Sequence, residues 1–569
     1  MLASLVVAFL PFAQQARPPV ALSSDSDPLG VQLASDEELS VALWASGASN
    51  VLRLASSDGR ALAWSAPLTV KSSTSDDFIA ARAIEVDGDD AVAVWTDDRN
   101  YKPSFWPIVA LTAFARRYDP ATHALGPELV LATGSPPELT TVQGVAVDVA
   151  RVGAALHVHV ALAIQVWSFH GSQAYDRILL FTSLDGAASF LPPITVNTGT
   201  PVHPGGVAIA ALGDTVHVAW IDSRDATPQI YYQRSSDAGA SIDFASDRQL
   251  TSGAHKLGFA MDAQGSTLAF AFTEHIPDFT FRGLSALVSL DAGATFGPVN
   301  APPNLNPLGD IPDNPTLEIA PSGASVLVAW DMLSAGVRQA MLSRSTDGGL
   351  SWTPPGQLSQ GAGRYPSLAV SEPGRTRVVA AWQDQGIART RVSLDEGATW
   401  SSEVPLSAGP MYAYARPNLA WNERYQNAIA GWASASAPHT TWVGGLRPQR
   451  VAPVGFTPGS SQVGAQCAGF DDGNAVAFVL ASLAPGSFEL PFGDGRELGL
   501  TADALFVTTL GSAAHGSFAA VLDASGSGAT PGLGVLALPA GLSLELVGLS
   551  VDLGTLSFGD ISDVVHVQL

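Results

Sequence analysis

The sequence of 569 residues contains a single cysteine, Cys467. No disulfide can therefore form within the chain, and packing must stabilise it even in an oxidising compartment. An isolated cysteine is most simply interpreted as a small buried residue. A single cysteine also excludes the class of small secreted domains that disulfides stabilise.

Lysine is almost absent, and occurs only at Lys71, Lys102 and Lys256. Lysine and arginine together number 28 against 52 acidic residues, which gives a formal net charge of -24. Such a chain has no basic stripe to neutralise phosphates or to dock on anionic lipid. Nucleic acid and membrane surfaces are therefore excluded as expected partners.

The one notable apolar run near the N-terminus, residues 2–13, is too short to span a bilayer. Its length is that of a signal-peptide core, with Ala13 or Ala16 as the cleavage point, although no Lys or Arg precedes it. A buried first strand is the alternative. We expect a signal peptide over residues 1–16, a secreted or envelope-associated protein and no transmembrane span.

Turn-forming and apolar residues dominate what is present. The chain is 46% hydrophobic, only 14% charged, and holds 55 glycines and 39 prolines. This composition favours many short strands joined by tight turns, and hence an all-β fold. The length also exceeds what one hydrophobic core usually supports, so either several domains or a repeat architecture is expected.

An eight-residue motif, S-x-D-x-G-x-[ST]-[FW], recurs along the chain. Copies begin at Ser235, Ser289, Ser345 and Ser393, the first of them without the closing aromatic residue. A fifth copy begins at Ser183 and has Ala187 in place of the glycine, and a degenerate turn occupies residues 56–59. Successive full copies are about 50 residues apart, the length of one propeller blade.

The motif is chemically suited to a turn. Its aspartate can accept hydrogen bonds from backbone N–H groups, its glycine can adopt a positive φ, and its final aromatic residue can pack between sheets. The repeated aspartates are therefore predicted to be structural rather than catalytic. They are Asp185, Asp237, Asp291, Asp347 and Asp395.

Alternating strands that end in a bulky residue form a second repeat. The bulky residues are Trp44, Trp95, Leu162, Trp220, Phe272, Trp330, Trp382 and Trp432. A short strand precedes each of them, as in PSLAV from Pro366. The two repeats together predict a β-propeller of seven or eight four-stranded blades over residues 28–450.

These turns resemble those of the sialidase/BNR (Asp-box) repeat superfamily. That resemblance implies a propeller, and in the family's sialidases a triad of arginines on the substrate carboxylate, a Tyr/Glu nucleophile pair and an aspartate acid/base. The segment from Arg82 to Arg99 is similar to the family's first arginine region, but residues 100–106 carry no carboxylate where the acid/base aspartate is expected. The catalytic pattern is thus only partly present.

Further arginines and tyrosines lie where blade loops face the central channel. The segment Asp222-Ser-Arg224-Asp225 has an acid in place, but His203-Pro204 stands where the family has an arginine. The candidate site residues are Arg82, Arg99, Arg224, Asp225, Arg364, Tyr365, Tyr412 and Arg416. His157 and His159 share a strand face without a third ligand at a recognisable spacing, so neither a metal nor a cofactor is expected.

Beyond Arg450 the chain contains no lysine and one arginine, Arg496. Its short apolar strands and Gly-containing turns predict a small antiparallel β-sandwich over residues 451–569, acting as an accessory domain. The Gly-rich stretch at residues 526–534 has neither a lysine nor a following helix, and is predicted to be a loop rather than a phosphate site.

Three functions stay open at this point. The first is an exported propeller that recognises a ligand, expected to be a glycan or another cell-surface molecule, through its channel-end loops. The second is an exo-sialidase or related glycoside hydrolase, and the third is a structural envelope or protein-interaction propeller. The oligomeric state does not follow from the sequence.

Overall fold

The computed structural model describes most of the propeller and parts of the C-terminal region. The described residues are 14–16, 19–36, 39–46, 51–58, 64–71, 79–99, 112–132, 138–168, 173–200, 205–275, 282–302, 311–320, 322–334, 336–371, 377–393, 395–407, 409–412, 415–422, 427–435, 439–448, 451–454, 464–467, 476–483, 519–521, 528–529, 543–552, 557–561 and 565–568. The predicted signal-peptide core, Lys102, the glycine of the degenerate turn, Tyr414 and the Gly-rich stretch except for residues 528–529 lie outside them.

The described propeller strands form eight antiparallel blades arranged in a ring, of which blades 1 and 8 are joined in a single sheet. The first blade contains β3, β4, β5 and the second half of β2. The second contains β6, β7, β8, β10 and the short β9, and the third contains β11 to β14. Their bounds are β1 Gln14–Ala16, β2 Val20–Asp36, β3 Leu39–Ser46, β4 Val51–Asp58, β5 Leu68–Lys71, β6 Ile79–Asp87, β7 Asp90–Asp97, β8 Thr112–Asp119, β9 Ala124–Leu125, β10 Leu129–Ala132, β11 Glu138–Val152, β12 Ala155–Ser168, β13 Gln173–Ser183 and β14 Ile194–Thr195.

The remaining blades follow in chain order. Blade 4 contains β15 to β18, blade 5 contains β19 to β21, blade 6 contains β22 to β25, blade 7 contains β26 to β29, and blade 8 contains β30 to β32. Their bounds are β15 Gly205–Leu212, β16 Thr215–Asp222, β17 Gln229–Ser235, β18 Arg248–Gln249, β19 His255–Gln264, β20 Thr267–His275, β21 Arg282–Ser289, β22 Ile311–Ile319, β23 Val326–Ser334, β24 Val337–Ser345, β25 Gly356–Gln357, β26 Arg364–Val370, β27 Val378–Asp384, β28 Ile387–Ser393, β29 Val404–Pro405, β30 Asn418–Asn422, β31 Asn427–Ala433 and β32 His439–Pro448. The propeller therefore has eight blades, where the sequence had left seven or eight open.

One long strand closes the ring. The first half of β2 pairs with β32, so it is the outer strand of blade 8, and its second half pairs with β3 as the inner strand of blade 1. Polar contacts reinforce the junction, since the Leu33 N–H donates to Asn418 Oδ1 over 3.2 Å and Asn422 Nδ2 donates to the Asp36 carbonyl over 2.6 Å. Both ends of the propeller are therefore held in one sheet.

The core lies between neighbouring blades. The eight bulky residues predicted from the sequence end or nearly end the apolar part of the second strand in each blade, and all are buried. Trp95, for example, packs with Leu43 and Ile84 in a cluster shared by blades 1 and 2. Apolar side chains on both faces of the central strands thus join each blade to the next.

The Asp-box turns connect the third and fourth strands of blades 3, 4, 6 and 7, and in blade 5 the turn follows the third described strand, β21. In blade 6 the Ser345 hydroxyl donates to Asp347 Oδ1 over 2.7 Å, and Asp347 accepts the N–H and the hydroxyl of Ser351 over 2.8 and 2.6 Å. The Gly349 N–H donates to Ser345 Oγ over 2.7 Å. The same bonds recur around Asp185, Asp237, Asp291 and Asp395.

Two small antiparallel sheets follow the propeller. One contains β33, β34 and β37, and the other contains β35, β36, β38, β39 and β40. Their bounds are β33 Val451–Val454, β34 Gly464–Cys467, β35 Val476–Ser482, β36 Ala519–Val521, β37 Gly528–Ala529, β38 Ser543–Asp552, β39 Ser557–Ile561 and β40 Val565–Gln568. The side chain of Cys467 lies outside the described residues.

Candidate functional site at the channel mouth

The inner strands of all eight blades, β2, β6, β11, β15, β19, β22, β26 and β30, surround a central channel. At the end where these strands begin, side chains from blades 6, 7 and 8 meet. We call this group the mouth cluster; it contains Asp313, Asn314, Asp331, Arg338, Tyr365 and Arg416. Three blades supply it, so it exists only in the closed ring.

Asp331 is the organising residue of the mouth cluster. It follows the buried Trp330 in β23 and is itself fully buried. Its carboxylate pairs with the Arg338 guanidinium, and its Oδ2 accepts the side-chain amide of Asn314 over 2.9 Å and the N–H of Tyr365 over 3.1 Å. One carboxylate therefore fixes residues of three different strands.

Arg416 has far fewer contacts. Its Nη2 donates to the Asn314 carbonyl over 3.3 Å, the single hydrogen bond that it makes to the described residues. Burial lowers the pKa of Arg416, because it disfavours the charged form, while Asp331 and Asp313 act in the opposite direction. A guanidinium has five N–H donors, so most of them are left for water or a ligand.

The backbone is strained at two residues of the mouth cluster. Asn314 has a φ of 49° and Tyr365 a φ of 53°, and a positive φ is uncommon for a bulky side chain. Both residues lie at register shifts, where β22 and β26 each bulge against their neighbours β23 and β27. Such strain persists where surrounding contacts over-determine the backbone, often at functional sites. Here the hydrogen bonds to Asp331 hold Asn314 and Tyr365 in place.

Asp313 and Arg364 provide the accessible charge of this region. The Asp313 side chain is 44% exposed and lies 3.7 Å from the Arg338 guanidinium. Arg364, the first residue of β26, is exposed. Arg338 neutralises Asp331, so Asp313, Arg364 and Arg416 together leave about one positive charge at the mouth.

Arg99 and Arg224 are held by carboxylates of the chain itself. Arg224 Nε donates to the fully buried Asp222 over 2.8 Å, and its Nη1 donates to Asp247 over 2.7 Å. Its guanidinium carbon lies 4.3 Å from the centre of the Tyr231 ring. The same arrangement joins Arg99 to Asp97, Glu128 and Phe114.

This repeated arrangement stabilises the blades. In both, the aspartate also accepts the indole N–H of the preceding Trp95 or Trp220. In the two segments that resembled the family's arginine regions, the arginine is thus bound by an aspartate of the chain two residues before it. Asp225, beside it, accepts the hydroxyl of Tyr231, which burial and Asp225 hold in the neutral form by raising the pKa of that phenol.

The remaining candidates are separate from the mouth cluster. Arg82 lies in β6 of blade 2, paired in register with Trp95. Tyr412 packs its ring 5.4 Å from the His439 ring, edge to face, and donates its N–H to the Ala433 carbonyl over 2.9 Å. Of the arginines and tyrosines predicted from the sequence, the mouth cluster therefore includes Tyr365 and Arg416.

The sequence did not single out Asp313, Asn314, Asp331 or Arg338. The only visible signal was Asp331 directly after a tryptophan that ends an apolar strand, a place where the other blades have Thr96, Ile221 or Gln383. Its partners come from β22 and β26, far away in the sequence. The contact of Asp331 with these partners could be predicted only if the bulges in β22 and β26 were already known.

The described ranges include His157 and His159, the two histidines that share a face of β12. His159 is buried, and its Nδ1 lies 3.2 Å from the Thr182 hydroxyl. Within those ranges no three His, Cys, Asp or Glu side chains are grouped to hold a metal ion. Nor do those ranges contain a helix with the length and apolar character needed to cross a bilayer.

No protein-family model and no curated protein matches the chain. Among solved structures, a Dyadobacter fermentans protein of unknown function is 16% identical, with 55% of this chain and 100% of that one covered and a TM-score of 0.36. An α-L-arabinanase of Penicillium chrysogenum complexed with arabinobiose is 14% identical over 53% and 92%, with a TM-score of 0.34. A PL25 ulvan lyase is 10% identical over 76% and 94%, with a TM-score of 0.38. At such TM-scores none of these likenesses assigns an activity.

Proposed function

We propose that the propeller binds a carbohydrate that carries a carboxylate, with Arg416 of the mouth cluster as the anchor. The observation that carries this proposal is the half-buried guanidinium of Arg416 and its single hydrogen bond among the described residues, to a neutral carbonyl. A planar guanidinium can hold a carboxylate through two parallel hydrogen bonds. A uronic or sialic acid residue would supply that group.

The surrounding residues suit a sugar. Arg416 lies two residues before β30, the inner strand of blade 8, and its guanidinium reaches the Asn314 carbonyl on the inner strand of blade 6. Asp313 is exposed enough to accept hydroxyl hydrogen bonds, and the Tyr365 ring offers an apolar face. Because Asp331 already holds Asn314 and the backbone of Tyr365, these two residues would need little ordering on binding.

Binding rather than hydrolysis is the activity proposed. The described residues bring Arg416 together with one tyrosine, Tyr365, and not with Arg82, Arg99 or Arg224. A carboxylate clamp of three arginines would have to be rebuilt from other positions. Export, as indicated by the N-terminal run, is proposed with it, and would expose the mouth to extracellular polysaccharide.

Calorimetric titration with oligosaccharides that contain glucuronate, compared with their neutral counterparts, tests the binding. We expect the acidic sugars to bind and Arg416→Gln to weaken them about tenfold or more, from the loss of charge-assisted hydrogen bonds. The matched control is Arg151→Gln, because Arg151 forms an exposed ion pair with Asp87 at the opposite end of the channel. Equal affinity for acidic and neutral sugars would contradict the proposal.

The two alternatives give different results. Turnover of a 4-methylumbelliferyl sialoside or another aryl glycoside by the wild-type protein, lost in Arg416→Gln, would show a hydrolase instead. A complete absence of binding on a glycan array would favour a structural or protein-interaction role.

A further inference from the structure

Four carboxylates occupy one level of the central channel. Glu85, Asp148, Asp262 and Glu318 each pair with the residue three positions before the bulky residue of the next strand. The equivalent residues of the other four blades are all alanine, namely Ala34, Ala210, Ala369 and Ala420. We call the four acids the channel carboxylates; they come from blades 2, 3, 5 and 6.

Their side chains are turned to the channel. Their neighbours along the inner strands, such as Ile84, Val86 and Leu317, belong to the apolar clusters between blades, and alternate residues of a strand point to opposite faces. Glu85 and Glu318 line a cavity of about 310 Å³ within the channel. The channel carboxylates are therefore half-buried and face the channel rather than the outer surface of the propeller.

Two of the channel carboxylates connect blades. Asp148 accepts the N–H of Ala211 in blade 4 over 2.6 Å, and Asp262 accepts the N–H of Ile319 in blade 6 over 2.7 Å. In the described part of the chain, Glu85 and Glu318 make no hydrogen bond through their side chains. The two aspartates thus hold the inner strands together, whereas the two glutamates face the channel without such hydrogen bonds.

The charges around them are mostly negative. The other charged side chains described on the inner strands, or just before β30, are Asp36, Arg82, Asp87, Arg151, His255, Lys256, Asp313, Arg364 and Arg416. Asp36 lines the same cavity. Arg151 pairs with Asp87, and Lys256 pairs with Glu274. The charges that act most on Glu85, Asp148 and Glu318 are those of other channel carboxylates.

This environment favours the protonated acids. Burial, with repulsion from Asp262, raises the pKa of Asp148 to about 7, and burial raises that of Asp262 to about 6. Burial and repulsion also raise the pKa of Glu85 and Glu318 well above the ordinary value. The folded chain then binds protons that the unfolded chain releases, so the stabilisation is complete below about pH 4 and is lost as the pH rises through 6 and 7.

We propose that the channel carboxylates form a proton-holding ring that keeps the eight blades tightly closed in mildly acidic surroundings and loosens the closure above neutral pH. The ring works because the four acids share one level of the channel, with no cation described at that level. When they ionise, blades 2 and 3 repel blades 5 and 6 across the channel. This device is independent of any ligand at the mouth.

Thermal unfolding at several pH values tests the ring. Burial lowers the pKa of His159 and His217 to about 4, so these two histidines destabilise the folded protein as the pH falls below about 6.5. That contribution is opposite in sign to the one from the channel carboxylates. The decisive interval is therefore about pH 6.5 to 8.5. We expect the Tm of the wild type to fall there by roughly 5 °C, and the double variant Glu85→Gln/Glu318→Gln to lose at least half of this fall.

The matched control is Asp89→Asn/Asp214→Asn, which removes two exposed turn carboxylates and should follow the wild-type profile. A wild-type Tm that is constant or rises over the interval, or a double variant parallel to the wild type, would overturn the proposal. If the double variant does not fold, infrared spectroscopy of the wild type in heavy water at about pH 6.5 decides. A band from protonated carboxyl groups supports the ring, and its absence contradicts it.

Discussion

The Asp-box turns at the rim and the channel carboxylates at the centre use the same acid group in opposite ways. At the rim, hydrogen bonds from Ser351 and Ser345 lower the pKa of Asp347 to about 2, and the Thr295 hydroxyl and N–H do the same for Asp291. In the channel, burial and repulsion raise the pKa of Asp148 and Asp262. The donors available, rather than the residue type, decide the charge of an aspartate.

The two regions also contribute differently to the fold. The hydrogen bonds that form each Asp-box turn lie within one blade, and only the adjacent blade packs against the turn, as Asn300 Nδ2 does when it donates to the Gly349 carbonyl. The channel carboxylates come from four blades and acquire their environment only when the ring closes. Local order at the rim and long-range repulsion at the centre are therefore separable by mutation.

The largest expected effect is at the rim. Gly349→Ala should destabilise the protein by about 4 kcal/mol, because Gly349 has a φ of 89° and a Cβ there would overlap Val288, whose branched side chain cannot easily rotate away. Chemical denaturation measures the loss. Gly253→Ala is the control, since Gly253 has a φ of 80° with open space around it, and should cost about 1 kcal/mol. Equal losses would show that the close approach to Val288 does not matter.

A fifth acid in the channel should have the next largest effect. Ala420→Asp places a carboxylate at the equivalent position of blade 8, beside the cavity. We expect a loss of about 3 kcal/mol at pH 8 and a smaller one at about pH 5, where the new acid is protonated. The exposed Ala121→Asp should change stability little at either pH. A loss that does not depend on pH would point to steric disruption instead.

The smallest effect is expected for a single rim charge. Asp347→Asn should cost about 1 kcal/mol at neutral pH, through weaker hydrogen bonds to Ser345 and Ser351. Because the pKa of Asp347 is lowered, the wild type keeps this stability above about pH 4 and loses it as the pH falls towards 2. The difference between variant and wild type should therefore shrink in acid, the reverse of the channel. A difference that grows in acid would contradict the assignment.

Much of the fold was predictable because its signals are local. Each blade contains an apolar second strand with a bulky end, and five contain an Asp-box turn, so the propeller followed from the repeats. Even the copy with Ala187 forms the turn, with a φ of 62° at that residue. The double role of β2 was not predictable, because it depends on the two ends of the propeller meeting.

The site was less predictable because it is made of distant residues. Arg99 and Arg224 carry a family-like motif, yet Asp97 and Asp222 satisfy them from two residues away. The channel carboxylates are visible in the sequence as single acids within apolar strands. Their distance from the bulky residue varies with hairpin length, so the common level emerges only from the strand register.

The most direct test of the comparison is to follow individual aspartate carboxyl carbons by NMR as the pH changes, in protein labelled at aspartate. The account predicts midpoints of about 7 and about 6 for Asp148 and Asp262, and of about 2 for Asp291 and Asp347. Rim and channel aspartates that all titrate together near pH 4, the ordinary value, would contradict it.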